Sequence, residues 1–397
     1  MKYRSTPYLR FKKFKEKWQL KVLGNLGSVA MNKRIFKEET SEVGEIPFYK
    51  IGTFGREPDS FITREKFEEY KSKYPYPEIG DILISASGSI GRTVEYLGEE
   101  AYFQDSNIVW LKHDERLDNS FLKQFYSIVK WQGIEGTTIK RLYNKNILET
   151  PIALPSVSEQ SAIGSLFRTL DDLLTSYKDN LANYQSLKAT MLSKMFPKAG
   201  QTVPEIRLDG FERKWEKKKL IDIVSPVSRK VKKPSDPYYR LSIRSHAKGT
   251  FKQFVDDPKK IAMDNLFEVK ENDLVVNITF AWEHAIAVAS KEDDGLLVSH
   301  RFPTYVIDKS DKNFINIYIK REEFRQKMDL LSPGGAGRNR VLNVKDFINI
   351  QMVVPELKEQ QAIGAYFSNL DNLITAHQEK IFQFETLKKK LLQDMFI

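Results

Sequence analysis

Two stretches of the chain carry the same hydrophobic pattern. Beyond Ser158, apolar residues fall at Ile163, Leu166, Leu170, Leu173, Tyr177, Tyr184, Leu187 and Met191, with Asn180 standing in sequence between Tyr177 and Tyr184. Beyond Lys358 the series is Ile363, Tyr366, Leu370, Leu373, His377, Lys380, Phe384, Leu387 and Leu391 in the same register. Alternating steps of three and four make a heptad seam, so each stretch predicts a long helix with one apolar stripe. Pro155 and Pro355 stand just before each start, and Ser158 or Lys358 lies near the cap position. Glu159 or Glu359 follows where the positive end of the helix dipole favours a carboxylate. Met195-Phe196 closes the first copy ahead of a Pro197-Lys198-Ala199-Gly200 linker. Each helix is expected to run ~38 residues, or ~57 Å at ~1.5 Å per residue.

The two stretches are copies of one another. Residues 155–196 align with 355–396 at a constant offset of 200, with 16 identities in 42 positions: Pro155, Glu159, Gln160, Ala162, Ile163, Gly164, Phe167, Leu170, Asp171, Leu173, Thr175, Leu187, Lys188, Leu192, Met195 and Phe196 all recur. A fainter echo at an offset of 197 joins Pro7, Arg10, Phe14, Lys17 and Trp18 to Pro204, Arg207, Phe211, Lys214 and Trp215. A long internal repeat dictates architecture more firmly than local propensity does. The chain is one duplicated unit, in which a variable globular part is followed by a repeated helix. Two long one-striped helices in one chain are expected to pair with each other, antiparallel. The expected interface is Ile163, Leu166, Leu170, Leu173, Tyr177, Asn180, Tyr184, Leu187 and Met191 on one helix and Ile363, Leu370, Leu373, His377, Phe384, Leu387 and Leu391 on the other. Layers whose positions sum to about 557 would bring Asn180 near His377 and Tyr177 near Lys380, a polar middle that could fix register. A solvent-edge position for these residues is the alternative.

The globular parts, ~19–154 and ~216–354, mix strands and helices. Ile82-Leu83-Ile84-Ser85-Ala86, Leu274-Val275-Val276-Asn277-Ile278, Ile286-Ala287-Val288-Ala289 and Tyr305-Val306-Ile307 are short apolar runs, the first two after Gly80-Asp81 and Asn272-Asp273 turn signals. Short helices are expected at Asn119 to Gln132 and Asn313 to Asp329. The fold class is α+β, with two globular domains alternating with two long helices that form an antiparallel coiled coil, a pseudo-twofold internal repeat. The expected boundaries are 1–154, 155–196, 197–354 and 355–397.

Charge adds a partner class. The 397 residues hold 63 Lys and Arg against 53 Asp and Glu, a net charge of +10, which favours an anionic partner such as nucleic acid. The absence of cysteine excludes disulfides, a thiol nucleophile and thiolate zinc sites, and fits a reducing, cytoplasmic setting. No window reaches the ~18–20 apolar residues of a membrane span, and the basic run from Lys2 to Lys17 is not a signal peptide.

Candidate chemistry is sparse. His113, His246, His284, His300 and His377 show no metal-ligand spacing, and neither a Walker pattern nor GxGxxG occurs. Around the Gly88-Ser89-Ile90-Gly91 turn, Ser85, Ser87, Ser89 and Arg92 could meet phosphates or base edges, or simply build the turn. Asp236-Pro237-Tyr238-Tyr239 falls one proline short of the Asp-Pro-Pro-Tyr pattern of adenine methyltransferases. Asp257 with Glu268-Val269-Lys270 fits the Asp…Glu-x-Lys spacing of metal-dependent nucleases, where two carboxylates hold magnesium, and equally fits a solvated strand edge. Basic residues at predicted turns and strand ends are the better signal. They are Lys33-Arg34, Lys140-Arg141, Arg229-Lys230, the run from Arg240 through Arg244, His246 and Lys248, His300-Arg301, and Arg338 and Arg340 after a Pro333-Gly334-Gly335 start. Such residues neutralise phosphates, and Arg, Asn and Gln read bases bidentately.

With these residues in view, a family resemblance is plain. Pro155-Ser156-Val157-Ser158-Glu159-Gln160-Ser161-Ala162-Ile163-Gly164 with Asp171 and the following heptads, and its copy from Pro355 through Glu359-Gln360 to Ile363-Gly364, resemble the two central helical regions of type I restriction-modification specificity subunits. Gly80-Asp81-Ile82-Leu83-Ile84-Ser85 and Asn272-Asp273-Leu274-Val275 resemble the strand that marks their target-recognition domains, with Asn272 in place of the usual glycine. The resemblance spans essentially the whole chain. It implies a subunit with no cofactor and no catalysis of its own, whose two target-recognition domains each read half of a split sequence in double-stranded DNA. It further implies helices that act as spacer and dock two modification subunits, which use S-adenosylmethionine, joined by two restriction subunits that use ATP and magnesium.

Overall fold

The computed structural model describes residues 6–133, 140–332, 334 and 340–397. The chain divides into two compact units, Met1–Asp179 with Gln378–Ile397, and Asn180–His377. Both long helices contribute to both units. The first runs Val157–Lys194 and the second Leu357–Met395, each starting a residue before the expected cap position.

In the first unit, Gly27–Ala30, Ile108–His113, Ile82–Ser85 and Thr93–Glu95 form an antiparallel sheet in that order. A smaller sheet sets Ile46–Tyr49 between antiparallel Phe61–Ile62 and parallel Tyr102–Phe103. Gln19–Val22 pairs with Pro151–Leu154 and leads the chain into the long helix. The second unit repeats the scheme with Ser225–Val227, Thr304–Val306, Asp273–Val276 and Ile286–Val288, and with Glu216–Lys219 against Gln351–Val354. Its other sheet is larger: Lys230–Lys232, Asn265–Glu268, Leu297–Val298, Tyr238–Ile243 and Thr250–Val255, in that order. The turn ahead of the marker strand is the same in both units. Gly80 has φ 95° and Asn272 φ 68°, and Asn tolerates the left-handed region through its short polar side chain.

Each globular core is closed by the tip of a long helix. In the first unit Phe396 stacks on Phe121 at 5.1 Å and meets Trp18 edge-on at 6.4 Å. In the second, Phe196 stacks on Phe314 at 5.7 Å and meets Trp215 at 5.8 Å. A ring this fully removed from water contributes about 1.5–3 kcal/mol. The helix expected over Asn119 to Gln132 is Asn119–Ile128, capped by the Asp118 carboxylate. The one expected over Asn313 to Asp329 is two, Lys312–Tyr318 and Glu322–Leu330. The break has a cause in the Ile319 carbonyl, which accepts from His284 Nε2 at 2.6 Å, and in Arg321, whose guanidinium lies 4.6 Å over the Phe196 ring.

The helix seam follows a heptad with half of its positions shifted. Ile163, Leu170, Tyr177, Tyr184 and Met191 are buried or half-buried, but between them lie Phe167, Leu174, Leu181 and Lys188 rather than Leu166, Leu173, Asn180 and Leu187. Leu166 is half-buried; Leu173, Asn180 and Leu187 are exposed. The second copy agrees, with Ile363, Phe367, Leu370, Ile374, His377, Ile381, Phe384, Lys388 and Leu391 inward and Leu373 and Leu387 outward. The pairing is antiparallel within each unit. Tyr177 meets Phe384 at 5.5 Å in the first, and Tyr184 meets His377 at 5.1 Å in the second. These pairs sum to 561, so the helices are slid four residues, ~6 Å, from the expected register. The tips seated in the cores set this register, as do the ion pairs Lys388–Asp171 in the first unit and Lys188–Asp371 in the second.

Candidate nucleic-acid interface

The repeated motif fastens each helix to its globular part. Arg10 Nε and Nη2 donate to the two Glu159 carboxylate oxygens at 2.6 and 2.7 Å, and Arg207 does the same to Glu359 at 2.7 and 2.6 Å. Both glutamates are buried. Gln160 Oε1 accepts from the Asp118 amide at 2.9 Å while its Nε2 donates to the Pro155 carbonyl at 3.0 Å. Gln360 makes the same bonds to Asp311 and Pro355. Gly164 and Gly364 permit the close approach. A Cβ at Gly364 would lie 2.5 Å from Asp311 Oδ1, and one at Gly164 would strike the Ser120 hydroxyl. The recurring Glu159, Gln160 and Gly164, and Glu359, Gln360 and Gly364, therefore hold the frame.

Several of the candidate DNA contacts also serve the fold. Ser85 is buried; its hydroxyl accepts from the Arg92 amide at 2.9 Å and donates to the Ser89 carbonyl at 2.5 Å, with Ser89 itself exposed. Ser87 donates to Asn107 Oδ1 at 2.7 Å. Arg92 Nη1 reaches the Phe54 carbonyl at 2.9 Å, and Arg141 Nη2 reaches Ser106 and Asn107. In the second unit Arg229 grips buried Asp273 with both amino groups, at 2.5 and 3.2 Å. Arg340 bonds Asp329 and the Ser332 carbonyl and lies 5.4 Å over Trp282. These bonds tie Arg229 and Arg340 to the fold and fix where their guanidinium groups lie. Arg338 lies outside the described residues.

The remaining candidates are on the surface. Lys33 and Arg34 are exposed in the first unit, over the rings of Tyr74 and Phe36 at 5.1 and 5.5 Å. Lys140 is exposed too. In the second unit Lys230, Arg244, His246, Lys248 and Arg301 are exposed, three of them at the turn joining Tyr238–Ile243 to Thr250–Val255. On the same hairpin Lys252 and Gln253 are exposed and Arg240 is half-buried. The signal for these was composition, since Tyr238 to Val255 contains four Lys and Arg and no Asp or Glu.

The carboxylates of the nuclease pattern are not brought together. Asp257 caps its own turn by accepting from the Lys259 amide at 3.0 Å, and Glu268 pairs with Lys270 at 2.7 Å. The strands leading to them, Thr250–Val255 and Asn265–Glu268, are separated by two others in the sheet. Three strand spacings make about 14 Å, far beyond a shared ion. Among the described residues no group of three or more His, Cys, Asp or Glu could hold a metal.

The model of the type I restriction modification DNA specificity domain family matches this chain twice, at residues 15–184 and 212–385. The chain belongs to that family. Each match takes in one globular part and most of the long helix after it, so the duplication seen in the frame is a duplication of the specificity domain. Among relatives, a protein of Haemophilus influenzae described as a type I restriction enzyme specificity subunit is 54% identical over 160 residues. The chain spans 42% of that protein's length, and the match covers 40% of the chain. The MjaVIII specificity subunit of Methanocaldococcus jannaschii is 22% identical over 79% of this chain and 74% of its own. The crystal structure of a type I restriction-modification S subunit from M. genitalium superposes with a TM-score of 0.58 over 99% of both chains at 15% identity, a likeness of fold.

Proposed function

We propose that this specificity-domain chain is the non-catalytic DNA-recognition subunit of a type I restriction-modification complex. The globular part of each unit reads one half of a bipartite duplex site, and the long helices set the spacing. The observation that carries this reading is a contrast within one chain. The helix clamp is the same in both units, Arg10–Glu159 and Arg207–Glu359, while their second sheets differ, three strands in one and five in the other. A frame kept identical under two unlike surfaces suits two unlike half-sites, and helices of 38 and 39 residues are long enough to separate them by one ~34 Å turn of DNA.

Leu173, Leu187, Leu373 and Leu387 form an exposed apolar series at equivalent positions of the two helices. The same surface offered twice fits two copies of one partner, the modification subunit, which supplies S-adenosylmethionine-dependent adenine methylation. Two restriction subunits complete the complex with ATP-driven translocation and magnesium-dependent cleavage. Methylome sequencing of cells expressing the chain with a modification subunit tests the reading. A split, asymmetric adenine-methylated motif is expected. A continuous motif, no motif, or magnesium-dependent cleavage of duplex DNA by the purified chain alone would overturn it.

A further inference from the structure

The hairpin Tyr238–Ile243/Thr250–Val255 has the features of a base-reading ribbon. Its two strands pair over six residues, and Thr250–Val255 is the edge of its sheet, with Lys252, Gln253 and Phe254 exposed. A two-stranded ribbon fits the ~12 Å major groove of B-DNA. Arg240, Arg244, Lys248 and Lys252 give it four positive charges, and it has no carboxylate in a chain with 53 in 397 residues. The corresponding hairpin of the first unit, Ile46 to Ile62, balances Lys50 and Arg56 with Glu57 and Asp59, and Lys50 is paired with Asp59 at 2.9 Å.

The ribbon is also held in place. Ser245 Oγ donates to Glu283 Oε2 at 2.5 Å, and the amides of His246 and Ala247 donate to the carbonyls of Glu283 and His284 at 2.7 and 2.8 Å. This fixes His246 and Ala247 in left-handed conformations, φ 60° and 48°. Arg244 donates to the Thr250 carbonyl and lies 5.0 Å over the Phe251 ring. Arg240 stands opposite Gln253, and its Nε donates to Gln253 Oε1 at 3.0 Å. That bond orients the guanidinium and leaves its two terminal amino groups as a fork, the donor pair that matches guanine O6 and N7.

Resting on the DNA-recognition reading above, we propose that this ribbon enters the major groove at the second unit's half-site, that Arg240 reads a guanine there, and that Lys248 and Lys252 neutralise phosphates. The test is methylome sequencing and salt-dependent binding with the full chain in complex with its modification subunit. Arg240→Ala is expected to relax one G·C position of one half-site, with discrimination there falling about 5- to 150-fold, while the other half-site is unchanged. Lys252→Ala is expected to keep the motif and lower the slope of log affinity against log salt by about 0.9. An unchanged motif with Arg240→Ala, or equal relaxation of both half-sites, overturns the proposal. If a complex with Arg240→Ala melts like wild type yet methylates nothing, Arg240→Gln decides. Methylation regained at a motif altered at that one base supports base reading, and none regained overturns it. Absence of any split motif with the wild-type chain instead strikes the DNA-recognition reading itself.

Discussion

Removing Arg10 tests whether the repeated motif is a clamp. Its guanidinium makes two charge-assisted bonds to Glu159, whose side chain is 1% exposed, and Nη2 also holds the Glu16 carbonyl. With alanine at position 10 the carboxylate remains buried without its counter-charge, a loss that costs about 3–5 kcal/mol. The second unit provides an internal comparison. There Trp215 Nε1 donates to Glu359 at 3.3 Å, whereas Trp18 Nε1 has no partner among the described residues, so Glu359 keeps one donor after Arg207→Ala that Glu159 lacks after Arg10→Ala. Arg10→Ala should therefore cost about 1 kcal/mol more than Arg207→Ala, the net worth of one hydrogen bond. For a unit of this size each kcal/mol moves Tm by about 2–4 °C, so Arg10→Ala should lower the first unit's transition by roughly 6–20 °C. Thermal unfolding combined with hydrogen exchange reads it, with lost protection expected first at the start of the Val157–Lys194 helix. Adding Glu159→Gln to Arg10→Ala should recover part of the loss, because a neutral amide is cheaper to bury than a lone carboxylate. A loss below about 1 kcal/mol, or a further fall on adding Glu159→Gln, would refute the clamp.

Two further outcomes separate packing from partner binding and follow a buried histidine. Leu174→Ala should cost about 2–5 kcal/mol as a core truncation, while Leu173→Ala with Leu373→Ala should change stability by less than about 0.5 kcal/mol yet weaken co-purification with the modification subunit. Thermal shift and pull-down would show the reverse ordering if the seam ran through Leu173. His284 is buried, and desolvation pushes its pKa below the ordinary 6.5. The unfolded chain then binds the proton more tightly than the folded one, so stability should fall as pH drops below about 6.5, by at most about 1.4 kcal/mol per pH unit from this group. Urea unfolding of the second unit between pH 7.5 and 5 should show that slope, reduced in His284→Gln; an equal slope in the variant would contradict it.

The existence, length and pairing of the long helices were legible in the sequence, but the phase of their seam was not. Leu166, Leu173, Asn180 and Leu187 compete with Phe167, Leu174, Leu181 and Lys188 one residue later, and with three apolar residues in each row hydrophobicity does not choose between them. The choice comes from tertiary packing: Phe167 is covered by the globular part, and Lys188 and Lys388 sit in the seam because long stems can lie along apolar surface while their ammonium groups reach Asp371 and Asp171. The sites show the same limit. Arg229 and Arg340 read as free cations because their acids, Asp273 and Asp329, are 44 and 11 residues away in sequence and are brought to them only by folding.

The duplication supplies what a single pattern lacks, because the chain contains its own comparison. A position whose residue recurs in both copies and whose contacts also recur, such as Arg10 and Arg207 on Glu159 and Glu359, belongs to the frame that both halves need. A polar surface position with no counterpart is free of that demand. Arg240 is of the second kind, on a hairpin with no carboxylate where the corresponding hairpin is charge-balanced. Leu173 and Leu373 form a third kind, recurring in both copies yet exposed in both. A frame role would bury them and a half-site role would let them diverge. A side chain that does neither fits the partner proposed to meet the two copies alike, so on that proposal the apolar series on the helices and the basic ribbon on one globular part serve different molecules.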